Sequence, residues 1–242
     1  MDIQQLRPLV EKMFFDAGLD GREIDIEAVN GGGNNKGFVV QTSGEKYLAK
    51  VYYNSPADTR DRLGREYAFL SYALNINLNC VPQAIFSNPS EKIGLYEFVE
   101  GRKLLSSELT RQHVMEAAHF ICELNTDVNK TKGDELPIAS EACFSIGEHF
   151  SLVDRRIGLL KDLPVDADLD RQALAFVAEL DDLWGQIKED ISASSESVMI
   201  ELTQEDRCIS PSDFGFHNAL LRNAGDICFI DLDIKKTFYH NL

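Results

Sequence analysis

Asp213 and Asn218 stand five residues apart in a turn-rich stretch, Pro211-Ser212-Asp213-Phe214-Gly215-Phe216-His217-Asn218. Asp231 follows thirteen residues after Asn218, at the end of the apolar run Phe229-Ile230. Hard cations take oxygen ligands, and one amide with one carboxylate, completed by phosphate oxygens, suits magnesium. A separate carboxylate can orient a hydroxyl and take its proton. Composition alone makes each acid a surface or turn residue; the set of spacings is what points to chemistry. Lys50 sits inside the apolar stretch Tyr47-Leu48-Ala49-Lys50-Val51-Tyr52, on the side of Leu48 and Tyr52. An ammonium there loses solvation unless an anion pairs with it; an edge strand with the lysine turned outward is the other reading. Glu66 is the one acid flanking the buried stripe of the next helix, which suggests an internal ion pair aiming Lys50 at phosphate. The run Gly31-Gly32-Gly33-Asn34-Asn35-Lys36-Gly37 lacks both the Gly-Lys-Ser/Thr of a Walker loop and the third glycine and helix of a dinucleotide fingerprint. It reads either as a turn whose amides approach phosphate or as an ordinary hairpin.

The elements that would position these groups follow from periodicity. Leu6, Leu9, Val10, Met13, Phe14 and Ala17 have helical spacing over 4–17, stopped at Gly18. Ile24, Ile26 and Ala28 alternate as a half-buried strand. Residues 38–40 and 47–52 form a hairpin about Ser43-Gly44-Glu45. Ser55-Pro56 with Asp58 marks a helix start, with Leu63, Tyr67, Leu70 and Leu74 as its buried stripe. Residues 93–99 form a further strand. The pattern is then helical over 108–127 (burying Val114, Ala117, Ala118, Ile121 and Leu124), 145–163 (Ile146, Phe150, Val153, Ile157 and Leu160) and 168–191 (Leu169, Ala173, Phe176, Leu180, Trp184 and Ile187). Strand-like pieces return at 219–221 and 227–230 about an Asn223–Asp226 turn.

The chain has 242 residues, 44% hydrophobic and 26% charged, which excludes disorder and low complexity. Its net charge of −16 opposes phosphate backbones and therefore nucleic-acid binding. Five cysteines without CxxC spacing argue against a disulfide framework or a zinc site and favour a reducing, cytoplasmic setting. The N-terminus lacks a signal-peptide pattern. No apolar run reaches the roughly 20 residues of a membrane span, so no membrane partner is expected.

Together these residues resemble the aminoglycoside phosphotransferase/choline kinase-like family of the protein-kinase-like fold. Ser212–Asn218 resembles that family's catalytic loop, His-Gly-Asp-x-x-x-x-Asn, and Ile230-Asp231-Leu232-Asp233 its metal-binding segment. Tyr47–Lys50 with Glu66 resembles the lysine strand and its helix partner, and Tyr96–Gly101 the hinge against which adenine lies. The resemblance runs from residue 20 to 233 in order. It implies an α+β, two-lobed fold: a nucleotide-binding lobe over 1–98 with a small antiparallel sheet, a hinge at 99–101, and a mainly helical, incomplete acceptor lobe over 102–242.

It further implies transfer of the γ-phosphoryl group of ATP or GTP, with Mg2+, to a hydroxyl of a small molecule such as a sugar, amino alcohol or aminoglycoside. Asp213 would act on the hydroxyl, and Asn218 and Asp231 would hold magnesium. Lys50, aligned by Glu66, would bind phosphates, and Gly31, Gly32, Gly33, Asn34 and Asn35 would cover them. Leu48 would roof the adenine, and the backbone of Glu97 and Val99 would meet its edge. The chain departs from the family at Pro211, where histidine is usual, and at Gly215-Phe216, where His-Pro is usual. It also ends eleven residues past Asp231, as a truncated or frameshifted product would. An inactive nucleotide-binding or structural remnant is the alternative reading.

Three further patterns carry less. Asp166-x-Asp168-x-Asp170 opens like a calcium loop but has Arg171 and Val177 where Gly and Glu belong, and reads as a capped helix start. His113 and His119 read as surface or core-edge histidines. Between Asp134 and Asp206 lie 18 acidic and 5 basic side chains, −13 of the total charge. That stretch is either a set of solvated helix faces or a cation-attracting rim for an amino-bearing acceptor.

Overall fold

The computed structural model describes residues 1–29, 35–53, 61–138, 141–194 and 198–238. In chain order the elements are α1 (Ile3–Ala17), β1 (Asp25–Val29), β2 (Asn35–Gln41), β3 (Lys46–Tyr52), α2 (Arg62–Asn75), β4 (Ala84–Asn88), β5 (Ile93–Glu97) and β6 (Gly101–Lys103). These are followed by α3 (Arg111–Leu124), α4 (Asp127–Lys132), α5 (Ile146–Lys161), α6 (Asp168–Ser194), β7 (Arg207–Ser212), β8 (Ala219–Arg222), β9 (Ile227–Phe229) and β10 (Asp233–Phe238). The chain packs as two compact units. One comprises Met1–Ile138 with Ile209–Lys235, and the other is built on α5 and α6. Among the described residues no helix is long and apolar enough to cross a membrane.

The described candidates for nucleotide, metal and hydroxyl lie in the first unit, which carries a five-stranded antiparallel sheet of order β1-β2-β3-β5-β4. Side chains alternate across β3 with the period of a strand. Tyr47, Ala49 and Val51 enter one core with Leu6, Val10, Met13 and Phe14 of α1. Tyr52 and the half-buried Leu48 enter a second core with α2, α3 and β9. Lys50 therefore shares the face of Leu48 and Tyr52, as its spacing predicts. Helix α1 forms where expected because both ends are locally specified. The Asp2 carboxylate accepts the Gln5 N–H at 2.9 Å, and Gly18 closes the helix in the left-handed conformation, φ +70°.

Helix α2 has Asp61 as N-cap, accepting from the Gly64 N–H at 3.0 Å. The expected start at Ser55, Pro56 and Asp58 lies outside the described residues. Its buried face is Leu63, Glu66, Phe69, Leu70, Tyr72 and Ala73, so two stripe expectations are corrected: Tyr67 is only half-buried and Leu74 is exposed. The face is turned so that Glu66 lies within it. Helix α3 is turned likewise. It buries His113, Ala117, Phe120 and Leu124 and leaves Val114 and Ala118 outside, because apolar residues line two adjacent tracks and the Phe120 contacts select one.

Strands β4 and β6 were not expected. β4 is an edge strand, and the three-residue β6 (Gly-Arg-Lys) pairs with β8 without an apolar side chain of its own. β8 and β9 form the rest of that small sheet, and β10 pairs with β7.

In the second unit α5 and α6 run antiparallel. Asp154 accepts from Trp184 Nε1 at 2.8 Å and Lys188 Nζ at 2.6 Å, and Phe150 meets Trp184 edge-on at 5.6 Å. Of the residues expected to be buried there, Ile157 is buried, whereas Leu160, Leu169, Ala173, Phe176 and Ile187 are exposed. The contacting track of α6 keeps the expected Trp184 and half-buried Leu180 and otherwise runs through Val177, Asp181 and Lys188, next to the exposed Phe176 and Ile187. The Asp166–Asp170 stretch opens α6: the Asp170 carboxylate accepts the N–H groups of Asp166 and Ala167 at 2.9 and 2.7 Å.

Candidate active site

The sheet carries Lys50 at its centre. β3 lies between β2 and β5, and Lys50 is opposite Gly37 on one side and Gly94 on the other. Two glycine neighbours leave the long side chain clear passage along the sheet face. A Cβ at Gly94 would stand 2.4 Å from the Tyr96 hydroxyl, so glycine there makes room for the Tyr96 ring. Lys50 Nζ lies 5.5 Å from that ring's centroid, within cation–π range.

The buried ammonium is paired twice, with Glu66 Oε1 at 2.6 Å and with Asp231 Oδ1 at 2.5 Å. The second carboxylate comes from 181 residues along the chain. The other oxygen of Glu66 accepts from the Tyr52 hydroxyl at 2.6 Å, and Tyr52 and Tyr96 hydroxyls meet at 2.8 Å. Burial works against the charge of Lys50, but Glu66 and Asp231 outweigh it and raise the group above its ordinary value. Burial, then the Glu66 carboxylate, holds both tyrosines well above the ordinary phenol value, as neutral hydrogen-bonding groups. Sequence reasoning missed Tyr52 and Tyr96 as parts of this node. The available signal was the two-residue step from Lys50 to Tyr52 along one strand face.

The Asp213 loop is held by aromatic packing. Phe214 stacks on Phe120 at 5.3 Å and leans on Phe229 at 4.7 Å, while Phe216 lies 6.5 Å from Phe229. Such pairs contribute about 0.5–1.5 kcal/mol each beyond the area they bury. Anchored on both sides, the chain exposes Asp213 at its turn. Asp213 has φ +55°, and so has Asp231. Aspartate tolerates this left-handed region better than most residues. Its use at two separate turns, each presenting a carboxylate, is the kind of local strain found at working sites.

The structure brings Asp213, Asn218 and Asp231 together. Asn218 Nδ2 donates to Asp213 Oδ2 at 3.0 Å and to the Asp213 carbonyl at 3.1 Å. The Asn218 carbonyl accepts from the Ile230 N–H at 2.8 Å, setting Asp231 beside the loop. The asparagine amide thus uses its nitrogen on Asp213 and keeps its oxygen as an acceptor. Asp231 commits Oδ1 to Lys50 and is half-exposed. One amide oxygen and one carboxylate are a donor set suited to magnesium, which usually takes few protein ligands and completes its shell with phosphate and water. No group of three or more His, Cys, Asp or Glu that could hold a metal occurs among the described residues.

Leu48 is half-buried against the α2 side of the sheet. The Glu97 N–H already donates to the Gln83 carbonyl at 2.9 Å, and its side chain accepts from the Gln83 N–H at 3.1 Å. Val99 follows β5 in irregular backbone. Asn35 is the first residue of β2, opposite Tyr52, rather than part of a loop. Gly31, Gly32, Gly33 and Asn34 lie outside the described residues. Of the two histidines set aside, His113 is buried and its Nδ1 accepts the Thr110 N–H at 3.3 Å as part of a capping box, while His119 is exposed.

No family model matches the chain, and no curated protein matches its sequence significantly. Solved structures share its fold. Spectinomycin phosphotransferase in complex with ADP and spectinomycin aligns with a TM-score of 0.64 at 15% identity, over 98% of this chain and 70% of that one. Choline kinase from Cryptosporidium parvum aligns at 0.59 and 16% identity, over 97% and 66%. Plasmodium vivax ethanolamine kinase aligns at 0.51 and 14% identity, over 97% and 65%. The chain therefore spans about two thirds of the length of these structures. The fold they share with it is α+β, two-lobed and kinase-like.

Proposed function

We propose that this protein transfers the γ-phosphoryl group of ATP or GTP to a hydroxyl of a small molecule, with residues 1–98 as nucleotide lobe, 99–101 as hinge and 102–242 as acceptor lobe. The observation that carries this reading is the buried Lys50 ammonium held between Glu66 and Asp231, with the Asp213–Asn218 loop bonded to the backbone of Ile230, the residue before that aspartate. A structural ion pair would need one carboxylate. The second, half-exposed one is suited to a group that exchanges partners.

In this reading Glu66 and Tyr52 fix Lys50, whose charge meets the α- and β-phosphates. Asn218 Oδ1 and Asp231 would hold magnesium, which supplies neutralisation of phosphate charge when bound. Glu97 can meet a purine edge only through its carbonyl, because its N–H is already committed to Gln83, and Val99 supplies the neighbouring backbone. Leu48 offers the apolar surface for the base. Asp213 orients the acceptor hydroxyl and takes its proton as the acceptor oxygen bonds to the γ-phosphorus. The bond to the bridging oxygen breaks and the nucleoside diphosphate leaves. Catalysis of this kind is mainly positioning and charge compensation. The acceptor class, a sugar, amino alcohol or aminoglycoside, follows the neighbours' substrates and the protein's strongly negative charge, which favours cations.

The test is transfer of label from γ-labelled Mg-ATP or Mg-GTP to a panel of spectinomycin, choline, ethanolamine and neutral sugars. Asp213→Ala is expected to lower kcat by roughly 10²–10⁴, the usual worth of a positioned base, and to leave nucleotide binding intact. Nucleotide binding without transfer to any acceptor would favour the inactive remnant, and unchanged turnover in Asp213→Ala would remove the role of that loop.

A further inference from the structure

Asp213 is oriented from both sides. Asn218 serves Oδ2, and the ring of His217 reaches back so that Nε2 lies 3.1 Å from Oδ1. An ionised carboxylate only accepts, so the imidazole donates from Nε2. The loop is shaped for this ring. A Cβ at position 215 would stand 2.8 Å from His217 Nδ1 and 2.9 Å from Cε1. Gly215 has φ 172°, extended backbone open to any residue, so the glycine is explained by the space the imidazole occupies and not by its torsions. Phe214 and Phe216, on either side of Gly215, turn into the aromatic cluster with Phe229, leaving the loop's polar side to Asp213, His217 and Asn218.

We propose that His217 is a positioning residue for Asp213, with Gly215 as the clearance that lets it act. The inference rests on the phosphotransfer reading above. With one oxygen held by Asn218 and the other by His217, the carboxylate plane is fixed, and each oxygen keeps a lone pair for the acceptor hydroxyl. An exposed aspartate held from one side only would rotate about χ2, and the productive orientation would be one of several. The contact of His217 is with Asp213, which the phosphotransfer reading assigns to the acceptor hydroxyl, so its effect is expected on turnover and not on nucleotide binding.

The experiment measures phosphate transfer from Mg-ATP to the best acceptor of the panel, or to water, beside calorimetric binding of Mg-ATP. His217→Leu is expected to lower kcat about tenfold, the loss of one charge-assisted hydrogen bond, with the nucleotide Kd unchanged. His217→Gln, which keeps a neutral N–H at similar reach, restores most of that rate. Gly215→Ala displaces the ring without removing it and reproduces the His217→Leu loss, and the double variant is no slower than His217→Leu alone. The role is overturned if His217→Leu turns over as wild type, if its loss appears in Kd, if Gln does not rescue, or if the Gly215 and His217 losses multiply. A wild-type protein that neither binds nor turns over nucleotide would overturn the phosphotransfer reading itself, an outcome distinct from these.

Discussion

Replacing Glu66 by glutamine changes one charge at the centre of the site and almost nothing in shape. Lys50 and Glu66 are both nearly closed to water, at 8% and 9% side-chain exposure, so solvent screening does little for either. Removing one partner of such a pair typically costs 3–5 kcal/mol, because the other is left charged and unpaired. Here Asp231 remains 2.5 Å from Nζ, but at 47% exposure its attraction is diluted by water. Tyr52 can still donate to the glutamine oxygen. Glu66→Gln should therefore destabilise the first unit by about 2 kcal/mol, below the range for a fully stranded ammonium. Urea unfolding followed by the tyrosine near-ultraviolet signal reads this unit, since the single tryptophan, Trp184, lies in the other. The double variant Lys50→Met/Glu66→Gln removes the stranded charge and should recover at least half of the loss. A single variant within 0.5 kcal/mol of wild type, or a double variant less stable than the single, would refute the claim that this pair carries a buried, mutually dependent charge.

The same node makes three further outcomes testable, and one more concerns its support. Asp231→Ala should abolish magnesium-dependent ATP binding by calorimetry, because an alkyl group cannot ligate a cation; binding equal to wild type would remove Asp231 from the metal role. Stability should fall in alkali. Lys50, Tyr52 and Tyr96 all have folded values raised above the ordinary 10.5 and 10.0, so their contribution is whole below those values and is lost as pH climbs through the higher folded ones. Tyr52→Phe should flatten that decline in urea titrations at pH 9 to 11. Lys50→Met should weaken Mg-ATP binding at least tenfold while leaving the far-ultraviolet spectrum unchanged, and equal affinity would refute its phosphate role. Asn125 ties α3 to β7, donating to the Ile121 and Ile209 carbonyls at 2.9 Å and accepting the Ile209 N–H at 2.8 Å. Asn125→Ala strands those groups and should cost about 2–3 kcal/mol in the same unfolding assay.

Where an element is specified by its own residues, the sequence is legible. Helix α1 shows its capping box and its glycine stop, and β3 shows its alternation, so the face carrying Lys50 was readable from six residues. Strand β6 has no such marks: Gly-Arg-Lys is a strand only because β8 lies beside it. The helices show the intermediate case. In α3 apolar side chains occupy two adjacent tracks, and periodicity alone does not choose between them. Phe120, pressed on Phe214 and Phe229 from a segment nearly a hundred residues later, selects the His113 track in α3. In α6 the expected Trp184 meets Asp154 and Phe150, while the polar Lys188 joins it on Asp154, a contact that apolar periodicity does not show. Such choices belong to tertiary packing and are absent from any local window.

The site divides along the same line. Lys50, Glu66, Asp213, Asn218 and Asp231 were candidates from residue type and spacing, because the chemistry proposed for them restricts which side chains could serve. Their closure was not legible there. Lys50 reaches a carboxylate 181 positions away, and that contact depends on the Asn218 carbonyl accepting from Ile230 and on the aromatic cluster holding both segments. Tyr52 and His217 each act on a charged group already named, by filling its remaining hydrogen-bond position, and Tyr96 completes the node through the Tyr52 hydroxyl. A carboxylate with two oxygens and a buried ammonium with three donors leave such positions by necessity. The physical rule that exposes supporting residues is therefore satisfaction of the named charges. Applied here it leads from Glu66 to Tyr52, from Lys50 to Asp231 and from Asp213 to His217.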